Sequence, residues 1–183
     1  LAASVCLSRR GIDHTVLEKH EVGASWRRQR WDSFCMNTPN WTLNLPDRDY
    51  DGGDPDGFLE RDGFVDLLPR YAADFGVPVR SGIEARHAVP SEGGWRLETS
   101  AGAMNARALL VATSTHQTAN IPASAAALDP EIHALSAADY RNTDQLPDGK
   151  ILVVGSAQSG MQVVEDLQTA GRDIFLSTGR VSR

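Results

Sequence analysis

Residues 150–171, KILVVGSAQSGMQVVEDLQTAG, constrain the fold more than any other stretch of this chain. Ile151, Leu152, Val153 and Val154 form a short apolar run, the pattern of a strand buried on both faces. Gly155 and Gly160 bracket a tight turn. Met161, Val163, Val164 and Leu167 then recur at helical spacing, and Gly171 stands where a helix stops. Strand, glycine turn and helix in this order predict the first half of a dinucleotide-binding βαβ unit, whose helix N-terminus offers N–H groups and a positive dipole to a pyrophosphate. The expected G-x-G-x-x-G reads as Gly155, Ala157 and Gly160, with the middle glycine replaced. Gly155, Ser156, Ala157, Gln158, Ser159 and Gly160 are the candidate phosphate-binding residues.

The next strand is expected at 173–176. An NAD-specific site places an Asp or Glu at the end of that strand to hold the ribose 2′-hydroxyl. This chain instead has Ser177, Thr178, Gly179 and Arg180, with Arg183 beyond. Hydroxyls and guanidinium groups suit a 2′-phosphate, which a carboxylate would repel. The predicted coenzyme is therefore NADPH, with Ser177, Thr178 and Arg180 as its selecting residues. Read as structure alone, the same stretch is an ordinary βαβ turn ending in a solvated loop.

With 183 residues the chain is long enough for one sizeable or two small domains. Its formal charge of −6 argues against nucleic acid or an anionic membrane as partner. No apolar run approaches the ~20 residues of a membrane helix, and no signal peptide is visible, so the expected location is cytoplasmic. The two cysteines, Cys6 and Cys35, form neither a C-x-x-C pair nor a metal-ligand cluster. No metal site is expected.

The chain starts, without Met, in an amphipathic run (1–10) that reads as a helix closed by Gly11, followed by a strand at 15–17 ending at Glu18. This is the back half of a second βαβ unit, and on this reading the chain is a fragment whose first strand and glycine turn precede residue 1. An acidic residue at the end of a second strand is what an adenosine ribose requires, so Glu18 is a candidate ligand; otherwise it is a surface carboxylate. Trp26, Trp31 and Trp41 lie close together among arginines, and can either cover a flat aromatic ring or fill a core under a long loop. The acidic segment 47–57 reads as a surface loop without the spacing of a calcium site. Phe64, Leu67, Leu68, Tyr71 and Phe75 form a helical apolar face. Strands are expected at 77–79 and 83–89, with a hairpin partner at 95–99 and a buried strand at 108–113.

These segments carry a resemblance. Gly23-Ala24-Ser25-Trp26, Trp31-Asp32-Ser33, Thr38–Thr42 (TPNWT), Gly57-Phe58-Leu59, Leu109–Thr113, Asp139-Tyr140-Arg141-Asn142 and the Gly155 turn together resemble the flavin-containing monooxygenase-type flavoproteins, in their bacterial branch. The resemblance covers nearly the whole chain. It implies FAD held by Glu18, Lys19, Gly23, Ser25, Trp26, Trp31, Thr38, Ala85, Ala112 and Thr113, with Ala85 meeting the adenine through its backbone. Asn40 is the catalytic candidate. Three positions depart from the family pattern. Ser114 replaces a glycine, Ser136-Ala137 replaces a His-Ser pair, and Ala157 replaces the middle glycine; His116 and His133 are not assigned a role.

The expected architecture is α/β with two Rossmann-like dinucleotide-binding lobes, both incomplete: a flavin lobe at 1–121 and the start of a nicotinamide lobe at 136–183. The implied activity is a monooxygenase in which NADPH reduces FAD and O2 reoxidises it, with oxygen transfer to a small organic substrate. A flavin dehydrogenase or reductase without oxygen insertion, or a catalytically incomplete remnant, is the alternative. A homodimer is left open.

Overall fold

The computed structural model describes residues 1–114 and 118–179. Helix α1 (Ala2–Arg9) leads into strand β1 (Val16–Glu18), and a short helix α2 (Ala24–Arg28) and a long helix α3 (Arg61–Asp74) precede β2 (Val79–Ser81). β1 and β2 are parallel, in the register Val16↔Val79 to Glu18↔Ser81. A parallel pair needs a crossover connection, and the segment holding α2 and α3 supplies it. β3 (Ala85–Ser91), β4 (Gly94–Thr99) and β5 (Gly102–Ala106) then form an antiparallel meander. Finally β6 (Ile151–Val154), α4 (Gln158–Thr169) and β7 (Ile174–Ser177) form a compact βαβ unit, with Ile151↔Ile174 and Val154↔Ser177 in parallel register.

The expected α/β class, the opening helix, the α3 face and the β6–turn–α4–β7 order are all present. The strand expected at 77–79 sits slightly later, at Val79–Ser81. β5 is an element that pattern reading missed: Gly102, Ala103 and Asn105 have little strand preference, and cross-strand pairing with β4 recruits them.

Two further expectations need correction. Residues 108–113 do not form a strand, and Leu110 and Val111 are exposed, at 65% and 72%. Among the described residues the first sheet contains only β1 and β2, so residues 108–113 join no ladder there. β6 is not buried on both faces: Ile151 and Val153 pack inward, whereas Leu152 and Val154 are exposed, at 61% and 72%. A two-stranded sheet covered by α4 on one side produces this alternation.

A buried cluster joins the segment after α2 to the β6–α4–β7 unit. Trp31, Tyr140 and Leu167 are buried together, with Phe34, Leu146, Ile151, Val153, Val163 and Ile174 around them. Trp31 and Phe34 come from the connection between α2 and α3, whereas Leu167 and the branched residues belong to the β6–α4–β7 unit. The ring contacts continue from Trp31–Phe34 (5.2 Å) through Trp26–Phe34 (5.9 Å) to Trp26–Phe64 on α3 (4.7 Å). A continuous aromatic row thus ties α3 to α4.

Gly160 allows α4 to lie close to β6. A Cβ at this position falls 2.0 Å from the Gly155 carbonyl oxygen, a backbone atom that cannot step aside. Gly160→Ala is expected to cost ~1–3 kcal/mol by overpacking, read as a lowered midpoint in urea unfolding. Gly63→Ala on α3, whose new methyl meets only the flexible Leu59 side chain, is expected to cost less.

Candidate functional site

The end of the second unit is built as a phosphate-binding turn requires. β6 stops at Val154, and Gly155 turns the chain at φ 111°, a region that L side chains rarely adopt. Its N–H donates to the Ser177 carbonyl at 2.9 Å, which holds the turn against the end of β7. Ala157 is the N-cap of α4, with extended backbone and no side-chain cap. The first N–H groups of α4 therefore have no partner within the helix and lie at its positive end. Ser156, Gln158, Ser159 and Gly160 complete the turn, and Ser177 and Thr178 follow at the C-terminal end of β7. All the candidate residues in this group are brought together except Arg180, which lies outside the described residues, as do Arg183 and His116.

The first unit places Glu18, Lys19 and Ala85 at the equivalent end of β1–β2. Glu18 ends β1; its carbonyl accepts from the Ile83 N–H at 3.0 Å and its carboxylate from the His20 N–H at 3.0 Å. Lys19 pairs with Glu84 at 2.7 Å, next to Ala85, the exposed first residue of β3. Gly23, at φ 86°, caps α2, and a Cβ added there would lie 3.5 Å from Val65, while Ser25 is exposed on the first turn. Ala112 and Thr113 are exposed. Ser114 adopts φ 65°, a conformation that costs glycine nothing and is the one expected where the resembling family has glycine.

The three candidate tryptophans, Trp26, Trp31 and Trp41, separate. Trp31, 2% exposed, lies in the core with its Nε1–H lacking a partner among the described residues, so its ring has no free face. Trp26 is half-buried under the Arg30 guanidinium, 4.9 Å from the ring centroid, and Trp41 is exposed. Thr38 is exposed. Asn40 is buried, and its Nδ2 donates to the Asp54 carbonyl (2.9 Å) and the Tyr50 hydroxyl (3.3 Å). That amide pins the acidic 47–57 loop to the chain. A cavity of about 330 Å³ beside this loop is walled by Leu43, Leu45, Arg48, Tyr50, Leu59 and Gly63, and none of the candidate residues lines it.

Sequence reasoning missed a polar network that bridges the two units. Asp32 accepts from Arg61 and from the Asn142 amide, each at 2.7 Å, and these contacts hold its carboxyl below the usual carboxylate range. The Asp32 N–H donates to the Arg141 carbonyl at 2.7 Å, and Arg141 reaches back to the Arg28 carbonyl. Asp166 accepts from the Tyr140 hydroxyl at 2.5 Å and from Ser33 Oγ at 2.7 Å. Burial and the Asp166 carboxylate push the Tyr140 phenol well above its ordinary value. The signal was present in the sequence: Gln158, Gln162 and Asp166 recur every four residues, on one face of α4.

Two parallel strand pairs with their carboxyl ends open are the arrangement of the Rossmann-type fold found in FAD/NAD(P)-dependent flavoproteins. Residues 1–182 match the family described as pyridine nucleotide-disulphide oxidoreductase, and the chain belongs to it. Within that family it is flavin-containing-monooxygenase-like. It is 31% identical over 180 residues to an uncharacterized oxidoreductase, CzcO-like, of Geobacillus kaustophilus, covering 98% of this chain and 51% of the relative. It is 32% identical over 171 residues to the indole-3-pyruvate monooxygenase YUCCA1 of Oryza sativa subsp. japonica, covering 91% and 42%. A flavin-containing monooxygenase from Stenotrophomonas maltophilia has the same fold, with a TM-score of 0.80 at 18% identity over 100% of this chain and 55% of that one. The chain spans about half the length of the curated relatives it matches. Cys6 and Cys35 are both free thiols.

The Tyr140–Asp166 bond sets a pH dependence. The unfolded phenol ionises near its ordinary value of 10.0, and the folded one only above it. The stabilisation is therefore complete below pH 10 and is lost as pH rises through the folded value. Tyr140→Phe should unfold ~1 kcal/mol more easily at pH 8, and this gap to the parent should narrow by pH 11, measured as urea midpoints.

Proposed function

We propose that this chain is the cofactor-binding part of an NADPH-dependent flavoprotein monooxygenase. Bound FAD would accept hydride from NADPH and, once reduced, would activate O2, one oxygen atom passing to a small organic substrate and the other leaving as water. The observation that carries this reading is the uncapped N-terminus of α4 behind the Gly155 turn, with Ser177 and Thr178 rather than a carboxylate at the end of β7. A pyrophosphate fits this donor set, and the two hydroxyls favour the 2′-phosphate; Arg180 is proposed to join them.

Glu18 is proposed to hold the adenosine ribose of FAD, with Lys19, Gly23, Ser25 and the backbone at Ala85 around it. Trp26, Thr38, Ala112 and Thr113 remain candidate neighbours of the flavin. Trp31 acts from the core, by fixing Phe34 and Trp26, rather than as a ligand. The flavin supplies hydride acceptance and oxygen activation when bound; the protein supplies orientation and exclusion of water. The monooxygenase name of the Oryza sativa relative supports this reading over simple reduction.

In the full-length protein, anaerobic NADPH is expected to bleach the flavin absorbance. Admitting 18O-labelled O2 should then place label in a small aryl methyl sulfide or cyclic ketone. Bleaching followed only by hydrogen peroxide release would identify a reductase instead.

Ala157 supplies a second prediction. In the parent motif the middle glycine lets the pyrophosphate approach the backbone, and a methyl there pushes the phosphates outward. Ala157→Gly in the full-length protein should tighten NADPH by roughly 5- to 30-fold, the equivalent of ~1–2 kcal/mol, with unchanged FAD content in a titration at one ionic strength. Because Ala157 is the N-cap and not a helix-interior residue, and glycine caps better than alanine, stability should not fall but rise, by up to about 1 kcal/mol.

A further inference from the structure

Helix α4 turns Gln158, Gln162 and Asp166 to one side, and against that stripe runs the ribbon 33–37 in the opposite direction. The two meet rung by rung. Asn37 Nδ2 donates to Gln158 Oε1, Gln162 Nε2 donates to the Cys35 carbonyl at 3.0 Å, and Ser33 Oγ donates to Asp166 Oδ1 at 2.7 Å. The ribbon is tied on its other side to the start of α3: the Met36 N–H donates to the Leu59 carbonyl (2.8 Å) and the Arg61 N–H to the Phe34 carbonyl (2.8 Å). The ribbon is thus stretched between the helix of the first unit and the helix whose first residue, Gln158, stands in the phosphate turn.

An apolar stripe would pack these surfaces with a smaller desolvation cost than three polar side chains. Gln162 also leaves its Oε1 buried without a partner among the described residues. Apolar contacts tolerate sliding, whereas hydrogen bonds fix distance and direction. We propose that Gln158, Gln162 and Asp166 are positioning residues: a three-rung clamp that sets the nicotinamide turn at a fixed register to the flavin side, with Asp166 as the keystone because Tyr140 also binds it. The proposal rests on reading the Gly155 turn as the nicotinamide site. Hydride transfer needs its reacting atoms about 3–3.5 Å apart, and a slip of roughly 1 Å costs on the order of 100-fold.

The test uses the full-length protein, with labelling read at Cys35 itself by peptide mass mapping so that it reports the ribbon, and Asp166→Ala, Asp166→Asn and Ser33→Ala are compared. Asp166→Ala should slow anaerobic flavin reduction at saturating NADPH by roughly 30-fold, while NADPH Kd and FAD content stay within about twofold. Cys35 should react with a thiol reagent about tenfold faster, because the local opening is cheaper. Ser33→Ala should add less than about twofold on top of Asp166→Ala, since both remove one rung, and Asp166→Asn should recover part of the rate. A reduction rate within about threefold of the parent, or FAD and NADPH binding that fall in step with it, would overturn the clamp. If the parent itself is not reduced by NADPH, the functional reading fails. The clamp is then judged on thiol reactivity alone, and unchanged Cys35 labelling in Asp166→Ala would overturn it.

Discussion

Asp166 lies at the rim of the buried Trp31–Tyr140–Leu167 cluster and takes a hydrogen bond from each side of it, Ser33 from the first unit and Tyr140 from the approach to the second. Among the described residues β1–β2 and β6–β7 are two-stranded pairs, each too small to be stable without packing. The aromatic row from Phe64 through Trp26, Phe34 and Trp31 to Tyr140 supplies the apolar burial that joins them. Full burial of one such side chain is worth ~1.5–3 kcal/mol, against ~0.5–1.5 kcal/mol for a net hydrogen bond. The rings therefore hold the units together, and the polar network of Asp32, Arg61, Asn142 and Asp166 decides how they are aligned.

The site residues depend on that alignment. A phosphate turn works through backbone N–H groups, whose direction is set by the helix that carries them. Here α4 is fixed from three sides: by Gly160 against the Gly155 carbonyl, by Leu167 in the core, and by its polar stripe against the 33–37 ribbon. The end of β1–β2 is fixed more lightly, through the Glu18 carbonyl and the Lys19–Glu84 pair. Glu84 is lowered by Lys19 and then Arg86, a surface arrangement that solvent screens.

Legibility in the sequence followed the range of the forces involved. The β6–turn–α4–β7 unit was readable because its signals are local. A glycine is required where φ is 111°, another where a Cβ would strike a carbonyl oxygen, and the apolar positions of α4 repeat at the helical period. Glu18 and Ser177 were readable as strand-end residues for the same reason. Residues 108–113 were not, because a run of Ala, Leu and Val has a strand's composition whether or not a neighbouring strand is there to pair with it. β5 failed in the opposite direction, since its pairing with β4 overrides a weak local preference.

By itself, then, the sequence determined the α/β class, the β6–turn–α4–β7 order, the strand ends at Glu18 and Ser177, and the resemblance that the comparisons bear out. Only the tertiary structure decided what the tryptophans do: Trp31 is core, Trp26 lies under Arg30 and Trp41 faces solvent, three fates for one residue type. It also turned Asn40 into a pin for the acidic loop, and made partners of Ser33 and Asp166, which sequence distance separates. Backbone conformation and helical period are written within a few neighbouring residues. Burial and hydrogen-bond partnership depend on groups brought from far along the chain, and only the packed structure brings them together.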